Sequence, residues 1–165
     1  MKTRKEALAL FIKELNFTPE TVEKSFDARF HIQKYIYLLQ EWKGYQWSYP
    51  YNMYVSGPYS PDLTKDVYSV IENGNFEQFS KGQLNSEFIE DLRNVKNLTQ
   101  DDETLEALST LFYIFKSYLW ANKDVEELKE HIFQSFRTAK PRISNDIRDR
   151  AWEILKSQIF QDFTD

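Results

Sequence analysis

Apolar positions recur at helical spacing over most of this chain, and a run of apolar residues three and four apart predicts a helix with one buried face. Leu8, Phe11, Ile12 and Leu15 place the first helix over about residues 4–15. Thr18, Pro19 and Glu20 then offer a cap, a proline fit for the first helical position and an acid at the positive end of the dipole, so a short helical turn is expected before Ser25. From Asp27 to Trp42 the residues Ala28, Ile32, Tyr35, Ile36, Leu39 and Trp42 form a single stripe, and Gly44 ends it. The period then falls to two. Tyr45, Trp47, Tyr49, Tyr51, Met53 and Val55 alternate with Gln46, Ser48, Pro50, Asn52, Tyr54 and Ser56, which predicts strand. Pro50 cannot donate to a ladder, so the expectation is two short strands near 45–48 and 53–56, with Gly57-Pro58 breaking the second.

Helical spacing returns at Ser60, a cap followed by Pro61 and Asp62, with Leu63, Val67, Val70 and Ile71 facing inward until Asn73-Gly74. Residues 75–84 show no clear period and are read as a short strand and a loop. Phe88, Leu92 and Val95 support a helix over 86–97, and Thr99 with Asp102 opens the longest apolar helix, about 101–120. There Leu105, Leu108, Leu111, Phe112, Ile114, Phe115 and Leu119 leave little polar surface, so this helix is predicted to be the core. Asp124 and Glu127 resemble a capping box ahead of Val125, Leu128, Ile132 and Phe136. Lys140-Pro141 separates that helix from a last one, capped by Ser144 and carrying Ile147, Ala151, Ile154, Leu155 and Ile159. With no repeat, low-complexity tract or linker, residues 1–165 read as one mainly α (α+β) domain with a small β-hairpin at about 45–56.

Composition sharpens this picture in three places. Cysteine is absent, which excludes a disulfide framework, a thiol nucleophile and thiolate metal sites. Four glycines and five prolines in 165 residues argue against a turn-rich barrel. The net charge is −5, an unfavourable start for a protein that clamps DNA non-specifically, since such affinity comes from neutralising phosphates. No apolar run approaches the roughly 20 residues of a membrane helix, and the basic start lacks the apolar stretch of a secretory signal, so a cytoplasmic protein without membrane contact is expected.

Three blocks carry a family resemblance. The first is Arg29-Phe30-His31-Ile32-Gln33-Lys34-Tyr35-Ile36-Tyr37-Leu38-Leu39, with Ser56-Gly57-Pro58-Tyr59-Ser60-Pro61-Asp62-Leu63 after the aromatic strands. The second is Leu105-Glu106-Ala107-Leu108-Ser109-Thr110-Leu111-Phe112-Tyr113-Ile114, and the third is Lys140-Pro141-Arg142-Ile143-Ser144 with Ala151-Trp152 and Leu155 behind it. In order and spacing they resemble the YwgA-like family of small prokaryotic proteins, and the Gln-Lys helix with its Gly-Pro turn is similar to the Panacea antitoxin domain. The resemblance spans roughly residues 28–155. It implies a helical, winged-helix-like fold, no established catalysis, and a protein partner such as a toxin or defence effector. Ser48-Tyr49-Pro50-Tyr51-Asn52 departs from the pattern as an apparent insertion.

Candidate surfaces follow. Trp42, Tyr45, Trp47, Tyr49, Tyr51, Tyr54 and Tyr59 are seven aromatics within eighteen residues, and rings with polar tips suit protein interfaces. Of these, Trp47, Tyr49, Tyr51, Tyr54 and Tyr59 are the expected partner-binding set; the competing reading is that the odd-numbered rings cover the central helix. The stretch Arg137, Lys140, Arg142, Arg148 and Arg150, opposed by Asp146 and Asp149 alone, is the alternative nucleic-acid surface of a DNA-binding regulator, and a homodimer would double its phosphate contacts. Against it stands a solvated surface in which the arginines pair with neighbouring acids. His31 and His131 fall in no HExxH or Ser/His/Asp arrangement. Asp101-Asp102-Glu103 could hold a hard cation or simply open a helix. No Walker-type loop or GxGxxG is present, and no catalytic residue, metal or cofactor is expected.

Overall fold

A computed structural model describes residues 2–163 of the chain. The protein is mainly α-helical with one small hairpin, as the periodicity predicts. In chain order the elements are α1 (Arg4–Glu14), α2 (Pro19–Lys24), α3 (Phe26–Glu41), β1 (Asn52–Tyr54), β2 (Gly57–Tyr59), α4 (Pro61–Ile71), α5 (Asn75–Phe79), α6 (Ser86–Leu98), α7 (Asp102–Lys116), α8 (Val125–Ala139) and α9 (Asn145–Ile154). β1 and β2 pair antiparallel as a two-stranded sheet. No helix among the described residues is long and apolar enough to cross a membrane.

The chain, read from its sequence as one domain, packs into two compact units: residues up to Asn52 with Tyr59–Val95, and Met53–Pro58 with the residues from Lys96 onward. Each closes its own core. In the first, α1 packs on α4 and α5, and α2 on α3 and α4. Leu8, Phe11, Ile12, Ile32, Ile36, Leu39, Leu63 and Val70 are fully buried there. α1 starts at a complete capping box, in which the Glu6 N–H donates to Thr3 Oγ1 at 3.1 Å and the Thr3 N–H to Glu6 Oε1 at 3.0 Å. In the second, α7 packs on α8 and α9, with Leu108, Leu111, Phe112, Ile132 and Leu155 fully buried. The cap at Asp124 holds the Glu126 N–H at 2.8 Å, one residue short of the expected box.

Residues 75–84, expected as a short strand and a loop, instead carry the helix α5, entered through Gly74 at φ +76°, and two boundaries also differ from the periodicity. α7 stops at Lys116 and a separate 3-10 turn covers Leu119–Ala121. The cause is local: the Ser117 N–H reaches back to the Ile114 carbonyl at 3.0 Å and its hydroxyl donates to the same oxygen at 2.6 Å, tightening the last turn. The hairpin begins at Asn52, so the alternating stretch 45–51 is irregular chain rather than strand, with Ser48 at φ +62°. Gly57 and Pro58 lie inside β2; Gly57 leaves the turn at φ +99°, a conformation that glycine, having no Cβ, adopts without strain.

Candidate functional site

The stretch 45–51 is irregular chain without a neighbouring strand, so its peptide groups need other partners. In the first unit α3 supplies them. Gln40 Oε1 accepts from the Tyr49 N–H at 2.9 Å while Gln40 Nε2 donates to the Tyr49 carbonyl at 2.9 Å. Gln33 repeats the arrangement on Ser60, accepting its N–H at 2.9 Å and donating to its carbonyl at 3.0 Å. Residues seven apart lie on one helix face. That face therefore grips the backbone of one residue before the hairpin and of one after it, each glutamine amide serving as the missing strand. Gln33 Nε2 also donates to Thr64 Oγ1 at 3.0 Å, and the Gln33 carbonyl accepts from the Tyr51 hydroxyl at 3.1 Å.

The alternation around these clamps sets ring burial. Trp47 and Tyr49 are buried while Gln46, Ser48 and Pro50 are exposed. Trp47 meets Phe88 edge-on at 5.4 Å and Phe11 at 6.0 Å. The Tyr49 hydroxyl donates to Asp66 Oδ2 at 2.7 Å under the Arg4 guanidinium, which lies 4.3 Å from its ring centre. Burial, and then the bond to Asp66, push this phenol far above its ordinary range. Tyr45 is raised by the same two causes through a 2.7 Å bond to Asp91. Both stay protonated donors at neutral pH. Tyr51 and Tyr59 are half-buried, with Tyr51 packed edge-on against Tyr37 at 4.9 Å and the Tyr59 hydroxyl 2.6 Å from Thr64 Oγ1. Trp47 and Tyr49, expected on a docking surface, are thus interior residues, because Trp47 packs on Phe11 and Phe88 and the Tyr49 hydroxyl and backbone are held by Asp66 and Gln40.

The tip of the hairpin belongs with the second unit. Tyr54 is 47% exposed and Val55 93% exposed. The Val55 carbonyl, in contrast, accepts from Lys140 Nζ, whose side chain is only 4% exposed and sits 2.9 Å from Glu106 Oε2. Sequence reasoning found Tyr54 but missed Val55, the barest large apolar residue among those described. The available signal was a β-branched residue directly before Ser-Gly, at a turn that burial has no need to fill.

The basic stretch does not form one patch. Lys140 is buried against Glu106. Arg148 lies over the Phe133 ring at 4.2 Å and bonds Asp149 Oδ1 through two nitrogens at 2.8 and 3.0 Å. Arg150 reaches Asp101 at 3.3 Å. Among the described residues Arg137 and Arg142 remain exposed without an ion pair, two of the five expected phosphate contacts. The first of the acidic trio, Asp101, is occupied as the cap of α7, accepting from the Thr104 N–H at 2.8 Å. His31 stacks on Tyr35 at 5.7 Å, and His131 on Tyr118 at 6.2 Å. The second unit also holds a cavity of about 570 Å³ between Phe115, Tyr118, Leu128, Phe160 and Phe163, with Lys123 and Asp124 at its edge.

Comparisons with family models, curated proteins and solved structures found no match to this chain.

Proposed function

We propose that the chain is a non-enzymatic protein-binding module, an antitoxin-like or defence-associated partner protein, that docks through the hairpin tip. The observation that carries this reading is the pairing of opposites at Val55: a side chain 93% exposed on a backbone whose carbonyl is held by a buried ammonium. A tip that served the core would bury its apolar group and leave its carbonyl to water. Tyr54 beside it adds an amphipathic ring of the kind that dominates protein interfaces. The net charge of −5 favours a partner whose rim is basic, since opposite fields steer encounter. The likeness of the Gln-Lys helix and Gly-Pro turn to antitoxin domains points the same way, and the two glutamine clamps give those residues a physical task beside the hairpin.

Capture of the protein encoded by the neighbouring gene tests this. Val55→Asp and Tyr54→Ala should each weaken binding at least tenfold, about 1.4 kcal/mol, while leaving the unfolding midpoint unchanged. Wild-type binding by both variants overturns the reading. Trp47→Ala is unsuited as a probe, because it opens the first unit's core.

A further inference from the structure

Lys140 is in a costly place. An ammonium ion removed from water needs close acceptors, and an apolar side chain of similar length would fill the same space without that need. The structure gives it two acceptors, the Glu106 carboxylate on α7 and the Val55 carbonyl at the hairpin tip. Its own backbone is fixed from both sides. The Lys140 N–H caps α8 on the Phe136 carbonyl at 2.7 Å, and Pro141 follows with a locked φ and no donor. Glu106 is set on the central helix of the second unit, its side chain 25% exposed. A rigid donor on a rigid base therefore meets the most mobile kind of element, a hairpin of two three-residue strands, which is marginal by itself.

We propose that Lys140 is the positioning residue of the docking hairpin: held by Glu106, its ammonium grips the Val55 carbonyl and fixes the direction in which Val55 and Tyr54 are presented. This rests on the hairpin tip being the docking surface and adds the group that presets it. The gain is pre-organisation, since a tip already ordered loses less freedom when a partner closes on it.

Amide hydrogen exchange on the full chain tests it, with wild type, Lys140→Met, Glu106→Gln and the double variant. Lys140→Met alone leaves a half-buried carboxylate without its cation and lowers overall stability; Glu106→Gln in addition removes that charge and restores it. In the double variant, α7 amides should exchange as in wild type while those of residues 52–59 exchange about tenfold faster or more. A purely structural lysine predicts the opposite, recovery of the hairpin along with the core, and wild-type exchange at 52–59 in the double variant overturns the proposal. Should Lys140→Met fail to fold, the wild-type chain still offers a measurement that can overturn the proposal. Acetic anhydride should modify Lys140 at least tenfold more slowly than the exposed Lys81, and equal rates overturn the proposal. Neither measurement involves a partner, so failure of Val55→Asp to weaken binding removes the docking reading and leaves the positioning result standing.

Discussion

α3 and α7 are the two most enclosed helices, one in each unit, and they reach that state by different chemistry. Each buries ten residues, of sixteen in α3 and of fifteen in α7. In α7 the buried set is apolar apart from small hydroxyl residues, one of which, Ser109, returns its hydroxyl to the Leu105 carbonyl of the same helix at 2.9 Å. α3 buries Gln33 and Lys34, the latter with its Nζ 5.2 Å from the Phe30 ring centre. The contrast teaches what each helix is packed against. α7 meets other helices, which satisfy their own peptides. α3 meets irregular chain, whose peptide groups have no ladder, so part of its buried face must be polar.

Substitutions at matched positions test that contrast. The largest effect is expected in α7 at Leu108, fully buried: Leu108→Ala should cost about 2–5 kcal/mol in urea unfolding through lost burial and the cavity left behind. Next comes Gln33→Leu, which keeps the bulk but leaves the N–H of fully buried Ser60 without a partner, while its carbonyl still accepts from the Thr64 N–H at 3.2 Å. At roughly 1–3 kcal/mol for one buried group left without a partner, the loss should fall below that of the core truncation. If Gln33→Leu were neutral, the clamp would be ornamental and α3 would be an ordinary apolar helix. The smallest effect has the opposite sign. Thr110 in α7 buries a hydroxyl without a hydrogen-bond partner, so Thr110→Val, similar in shape, should stabilise the chain by about 1 kcal/mol and raise its midpoint by a few degrees.

The comparison also separates what could be read along the chain from what could not. α7 announced itself, because residues 105–115 are apolar on nearly every side. α3 appeared as a single stripe ending at Trp42 with Gln33 and Lys34 outside it, since a polar letter such as Gln33 carries no sign of the peptide it will serve. The alternation at 45–49 was correct as a record of burial and misleading as a record of pairing: Trp47 and Tyr49 do face inward, yet a glutamine side chain takes the role of the adjacent strand. The same blindness placed Lys140 among five cations on a surface, when its partners lie at Glu106 and Val55, far away in sequence.

By itself the sequence determined the helices, most of their caps, the position of an aromatic hairpin region and the absence of thiol chemistry. These follow from local spacing, from side chains that reach only their own turn, and from composition. The tertiary structure decided which rings are interior, which polar residues are buried, and which one apolar side chain stands bare at the tip. Those outcomes depend on distant peptide and carboxylate groups meeting, and the free energy of a buried polar side chain is set by the partner it finds there rather than by its neighbours in the chain.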